Sequence, residues 1–241
     1  MMNNIINAKK KIIVALDTKD TNHALGLISQ LPEVAVFKLG LEFFCANGPN
    51  GFKMLAESGV KIFLDLKFHD IPNTIEGAIR ASLPINPFMM TVHISGGRLM
   101  LERSMNTVLE DHEKKIGNRP LVLGVSVLTS IDEDDFASLG LLGALEDQVK
   151  RLADLAVDVG LDGIVCSAKE LKVIRDHVGK DFIIVTPGIR PKWAEKQDQK
   201  RIMSPAEAIK FGANFLVIGR PITEADNPSD AFEKLCQEIS E

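Results

Sequence analysis

Short apolar runs alternate with longer amphipathic stretches along the chain. Eight runs rich in Ile, Val, Leu and Phe read as strands: residues 12–16, 34–39, 61–66, 88–93, 121–127, 163–166, 182–186 and 215–218. Several are nearly continuous in apolar residues, as parallel strands covered by helices must be. Eight stretches between and after them read as helices: residues 21–30, 51–58, 75–83, 98–110, 144–159, 168–176, 205–211 and 230–239. Two carry a Ser-x-x-Glu start signal, Ser167 with Glu170 and Ser204 with Glu207. In such a pair, side chains satisfy the free amides of a helix start reciprocally. Pro205 then takes the first helical position, where its missing N–H costs nothing.

Strand starts recur at roughly 30-residue intervals, the length of one βα unit. Eight such units with no linker or break in composition predict a single-domain (β/α)8 TIM barrel over residues 1–241. The alternative is an open doubly wound sheet, which usually has fewer strands and a glycine-rich first turn when it binds nucleotides. No Gly-x-Gly-x-x-Gly follows Leu16, which favours the barrel. Residues 187–203 are polar, charged and long for a βα loop, and such loops are more often functional than idle.

Composition changes this picture little. The 241 residues suit one α/β barrel, and 45% hydrophobic with 25% charged residues is ordinary for a globular chain. A formal net charge of -5 argues against a dedicated nucleic-acid binder but leaves room for a local basic pocket that grips one phosphate. Cys45, Cys166 and Cys236 form no Cys-x-x-Cys and read as reduced thiols, most simply as small buried apolar residues. The first residues are short and polar, without the apolar stretch of a signal peptide, and no apolar run approaches bilayer length. The expectation is a cytoplasmic protein.

Barrel chemistry sits at the C-terminal ends of the strands. Those ends deliver Asp17, Lys38, Asp65, Lys67, Asp70, His93, Thr129, Ser130, Arg190 and Gly219–Arg220. Alternate residues on a strand share a face. Asp65 and Lys67 are therefore expected to point together into the mouth, with Leu66 and Phe68 toward the helices and Asp70 close enough to join them. A structural salt bridge explains the Asp65–Lys67 pair alone equally well. Lys38, Asp17 and Asp70 at the same rim shift the balance toward a reactive site. Gly219 permits close backbone approach to an anion, and Arg220 adds a charged fork. Gly188, Arg190 and Gln199 come from the loop after the seventh strand, and barrels often hold phosphate at the loops after strands seven and eight. Either loop alone reads as a glycine turn with a solvated arginine. His93 on an apolar strand is more often a hydrogen-bonded core residue than a ligand, and His69 is expected on the face opposite its neighbours. His-Glu-x-x-His, Cys/His zinc spacing and a Gly-x-Ser-x-Gly elbow are all absent. Asp65 and Asp70 have the chemistry to bind Mg²⁺, but Lys67 between them would repel it.

The decapeptide Asp65-Leu66-Lys67-Phe68-His69-Asp70-Ile71-Pro72-Asn73-Thr74 resembles the signature of the bacterial orotidine 5'-phosphate decarboxylase family. The resemblance extends to Val14–Asp17, Phe37–Gly40, Val92–Gly97, Val127–Ser130, Val185–Pro191 and Val217–Pro221, covering almost the whole chain. It implies a cofactor-free, metal-free carboxy-lyase that makes UMP and CO2 from orotidine 5'-phosphate (OMP) in pyrimidine biosynthesis. By the same resemblance Lys67 is the proton donor, flanked by Asp65 and Asp70, and Lys38 completes the charge network. Asp17 and Lys38 are ribose ligands, Thr129 reads the pyrimidine edge, and Arg190, Gln199, Gly219 and Arg220 grip the phosphate within a mobile loop at about 187–203. Asp70 and Thr74 serve the partner's site, which implies a homodimer. Two rivals remain: a Mg²⁺-dependent lyase of sugar phosphates on the same Asp-x-Lys-x-x-Asp frame, and a non-catalytic protein that binds a phosphate ligand.

Overall fold

Each strand pairs in parallel with the next, and the eighth returns to the first, so the sheet closes into a barrel with no free edge. The computed structural model describes residues 2–114, 119–193 and 203–240. The strands are β1 (Ile12–Ala15), β2 (Val36–Leu39), β3 (Lys61–Phe68), β4 (Met89–His93), β5 (Leu121–Val125), β6 (Gly163–Val165), β7 (Ile183–Thr186) and β8 (Phe215–Ile218). The helices, in chain order, are α1 (Met2–Lys9), α2 (Thr21–Gln30), α3 (Leu41–Ala56), α4 (Pro72–Ser82), α5 (Arg98–Glu113), α6 (Glu133–Ser138), α7 (Leu145–Val159), α8 (Leu171–Val178), α9 (Pro205–Lys210), α10 (Arg220–Thr223) and α11 (Pro228–Ser240).

Strand alternation divides the apolar residues into two cores. Ile13, Ala15, Val36, Phe63, Met89, Leu123, Val185 and Val217 fill the barrel interior. Ile12, Val14, Phe37, Leu39, Leu64, Met90 and Ile164 point outward and meet the apolar faces of the helices. At burial of this kind each large side chain contributes about 1.5–3 kcal/mol, so the strands are fixed on both faces. The inward positions nearer the C-terminal mouth on β2, β3 and β4 are Lys38, Asp65 and Thr91, and the apolar filling gives way there to polar groups.

The base of the barrel is tied by Arg175 of α8. Its guanidinium donates to Phe182 O at 2.9 Å, Gly212 O at 2.8 Å and Asn214 Oδ1 at 2.6 Å, and also to Gly179 O. Burial holds this guanidinium below its ordinary pKa. The loop after β7 is pinned at its base by a parallel bridge between Ile189 and Met203 and by Arg190 N–H donating to Met203 O at 3.1 Å.

Several expectations need correction. The helix expected at 51–58 runs from Leu41 to Ala56 with a kink, because Gly48 at φ 57 precedes Pro49, which cannot continue an inner turn. The Ser167–Glu170 pair makes only half a capping box: Ser167 N–H donates to Glu170 Oε2 at 3.0 Å, the Ser167 hydroxyl is buried without a partner, and α8 starts at Leu171. Ser204 and Glu207 form the full box at α9. Cys166 and Cys236 are buried and free, whereas Cys45 is exposed. Among the described residues, no helix is long and apolar enough to cross a membrane.

Candidate active site

β3 carries the centre of the site and departs from regular geometry there. Its register against β4 shifts between Leu64 and Phe68, and Lys67 has φ 50, in the left-handed region that side chains other than glycine avoid. The Lys67 ammonium lies 2.9 Å from Asp65 Oδ2. Lys38 Nζ lies 3.7 Å from that same oxygen and 3.0 Å from Asp17 Oδ1. The four side chains thus alternate in sign as Asp17–Lys38–Asp65–Lys67 across the ends of β1, β2 and β3. Asp65 and Lys38 are largely buried, with side chains 11% and 12% exposed, while Lys67 at 30% still faces the mouth. A buried carboxylate at such a place needs partners for both oxygens. Asp65 Oδ1 has its own: the hydroxyl of Thr91 donates to it at 3.0 Å.

Gly40 follows β2 directly and lets this network close. A Cβ at that position would stand 3.2 Å from Lys38 Nζ. His69 and His93 lie side by side at the rim, with ring centroids 5.2 Å apart. His69 stands two positions beyond Lys67, where alternation from Asp65 and Lys67 also sets a side chain on their face. Burial, then His69, then Lys67 hold the His93 imidazole below its ordinary pKa, against an opposing pull from Asp65.

Asp70 does not join the network within its own chain. It is exposed, and Oδ1 accepts the N–H of Ile71 at 2.7 Å. Thr74, in the first turn of α4, is also exposed, as is Thr129 beyond β5. Arg190 is buried just beyond β7, and Gly219 and Arg220 follow the paired strand β8 and open α10. Asp17 and Arg220 line one small cleft of about 100 Å³ with Ala15, Thr18 and His23. Gln199 lies outside the described residues. A larger concavity of about 490 Å³ lies at the opposite end of the barrel, around Lys61, Phe88 and Arg119. It holds none of the residues expected at the site, and barrel chemistry belongs to the other face.

Thr91 was missed from sequence. The signal existed: it is the inward position between Met89 and His93 on β4, level with the charged positions of β2 and β3. Among the described residues, no group of three or more His, Cys, Asp or Glu is arranged to hold a metal ion.

Comparison with known proteins bears on the same residues. The chain is 46% identical over 230 residues to an orotidine 5'-phosphate decarboxylase from Rhodospirillum rubrum, covering 95% of this chain and 93% of that one. It is 45% identical over 236 residues to one from Moorella thermoacetica, covering 97% and 94%. Among solved structures, an orotidine 5'-phosphate decarboxylase from Lactobacillus acidophilus superposes with a TM-score of 0.84 at 35% identity, covering 95% of this chain and 99% of that one. The model of one family matches residues 10–235, from before β1 into α11, and so takes in every strand and the whole charged mouth: the chain belongs to the orotidine 5'-phosphate decarboxylase / HUMPS family.

Proposed function

We propose that this protein decarboxylates OMP to UMP, and that the alternating charges at the barrel mouth carry the reaction. The observation that carries this reading is the Lys67 ammonium held 2.9 Å from Asp65 Oδ2 on a strand bent to present it. The relatives at 45–46% identity bear the decarboxylase name, which favours that chemistry over the other in the family's title.

Loss of CO2 from C6 of the orotate ring breaks the C6–carboxylate bond and leaves its electron pair in an sp² orbital that no π system can delocalise. Enzymes supply about 8–23 kcal/mol of transition-state stabilisation, and this step needs the upper part. Lys67 stabilises the developing charge at C6, then transfers one N–H proton to it and regains a proton from water. Asp65 holds the ammonium charged and aimed, and its own charge beside the departing carboxylate destabilises the bound substrate. Lys38 and Asp17 take the ribose hydroxyls, and Thr129 reads the pyrimidine edge. Arg190, Gln199, Gly219 and Arg220 hold the phosphate. Binding energy from that remote group is spent on raising the rate at C6.

The working unit we propose is a cytoplasmic homodimer, with Asp70 and Thr74 completing the partner's site. Their exposure supports this. So do exposed apolar side chains at the same rim, Leu41 after β2, Ile71 after β3, Leu99 after β4 and Leu128 after β5, since apolar clusters on a polar surface mark association sites.

The test is a UV assay of OMP consumption with and without EDTA. Turnover should persist in EDTA; its loss there would favour a metal-dependent lyase. Lys67→Ala should lose more than about 10³-fold in kcat while still binding UMP. Absence of OMP turnover by the unaltered protein, or near-normal turnover by the variant, would overturn the reading.

A further inference from the structure

Thr91 lies on β4, is completely buried, and touches two parts of the charged network with one oxygen. The register shift in β3 turns the Lys67 amide out of the regular ladder, and Thr91 Oγ1 accepts that N–H at 2.8 Å. The same hydroxyl donates its proton to Asp65 Oδ1 at 3.0 Å. Accepting from an amide leaves a hydroxyl its single proton for one acceptor, so the direction of both bonds is determined. With Oδ1 fixed in this way, the carboxylate plane turns Oδ2 toward Lys67 Nζ at 2.9 Å and Lys38 Nζ at 3.7 Å. The alternative conformation is easy to picture. If the amide of Lys67 rejoined a regular ladder, its backbone would leave the left-handed region and its side chain, though on the same face, would be aimed differently.

We infer that Thr91 is a positioning residue of the reaction: its hydroxyl holds Lys67 in the left-handed conformation and orients Asp65, so that ammonium and carboxylate meet the substrate in one geometry. The inference rests on the decarboxylase reading above. It extends the site by one residue that touches neither substrate nor reacting atoms and acts through the two that do.

The decisive variant is Thr91→Val, which keeps the shape of the side chain and removes both hydrogen bonds. A misplacement of about 1 Å at a reacting group costs on the order of 100-fold in rate. Thr91→Val should therefore lose about 10- to 100-fold in kcat. Its KM for OMP should stay within about threefold, because the phosphate grip is untouched and Lys38 keeps its 3.0 Å pair with Asp17. Thr91→Ser restores the hydroxyl and should recover most of the rate. Circular dichroism and UMP binding establish that the variants are folded; should Thr91→Val not fold, Thr91→Ala, which also lacks both hydrogen bonds, takes its place in the same comparison. A folded Thr91→Val or Thr91→Ala with unchanged kcat overturns the inference. So does a Thr91→Ser that loses as much as the variant lacking the hydroxyl, since the methyl group would then be what matters. Failure of the unaltered protein to consume OMP would instead overturn the functional reading itself.

Discussion

Lys67 and Asn86 are the two residues other than glycine with positive φ among those described, and only Lys67 belongs to a strand. A side chain held in that region costs on the order of 1–3 kcal/mol, and such costs persist where surrounding structure over-determines them. Here the surroundings are Thr91, Asp65 and the rim histidines. His93 gives this corner a measurable pH dependence. Its imidazole is held below the ordinary value by burial, then by His69 and Lys67, with Asp65 pulling the other way. In the unfolded chain it titrates near about 6.5. As pH falls, the unfolded chain therefore takes the proton first. The stability tied to neutral His93 is whole above about 6.5 and is lost as pH drops through that value toward the depressed one in the folded protein. Urea unfolding of the unaltered protein between about pH 7.5 and 5.5 should accordingly show a steeper loss of stability than His93→Gln, whose side chain does not titrate. Identical slopes would mean that His93 takes its proton as readily folded as unfolded. None of this was legible at residue scale. Alternation put Asp65 and Lys67 on one face, but the left-handed turn at Lys67 and the Thr91 hydroxyl that takes its amide belong to backbone geometry, which alternation does not record.

At the scale of elements, strands were read well and short helices poorly, for one physical reason. A buried parallel strand must be apolar on both faces, so β1 to β8 stand out as runs of Ile, Val and Leu, and all eight appear. α2 and α7 carry clear apolar stripes and were read nearly to the residue. α1, α6 and α10 have 8, 6 and 4 residues, too few for a periodicity to emerge from a polar background. The first half of α3 was hidden by Gly48–Pro49, which reads as a stop and is in fact a kink. α9 shows local chemistry succeeding where periodicity is too short to help. Ser204 Oγ accepts the N–H of Glu207 at 3.4 Å, Glu207 Oε2 accepts the N–H of Ser204 at 3.1 Å, and Pro205 fills the first position. The Ser204 hydroxyl, which donates to Glu207 Oε2 at 2.5 Å, and then the Ser204 N–H hold the Glu207 carboxyl below its ordinary pKa. A six-residue helix has little else to hold its start, so Ser204→Ala should cost about 1 kcal/mol. In a domain of this size that is a fall of roughly 2–4 °C in Tm. A melting curve that superposes on that of the unaltered protein would show that the neighbouring β8 and α11 hold α9 in place without its cap.

At the scale of the whole molecule, the closed barrel brings residues from seven strand ends to one mouth, and their convergence there follows from topology once eight βα units are recognised. What topology does not supply is the second acidic neighbour of Lys67. Within one chain Asp70 is exposed and engaged with the Ile71 amide, while apolar Leu41, Ile71, Leu99 and Leu128 stand uncovered around the same rim. If a second copy covers that surface by two-fold symmetry, each Asp70 enters the site of the other subunit. Mixing two inactive variants separates this arrangement from the intramolecular one. Lys67→Ala and Asp70→Ala are each expected to be inactive alone. After unfolding and refolding together in equal amounts, about half of the dimers contain one chain of each kind. In such a dimer the chain that keeps Lys67 receives Asp70 from the other, so one of the two sites is complete. The mixture should then recover about a quarter of the activity of the unaltered protein, one site in two in half of the molecules. If Asp70 instead serves the Lys67 of its own chain, every site in the mixed dimer lacks one of the two residues. No mixing ratio then restores turnover, and exposure of Asp70 in the single chain needs another explanation.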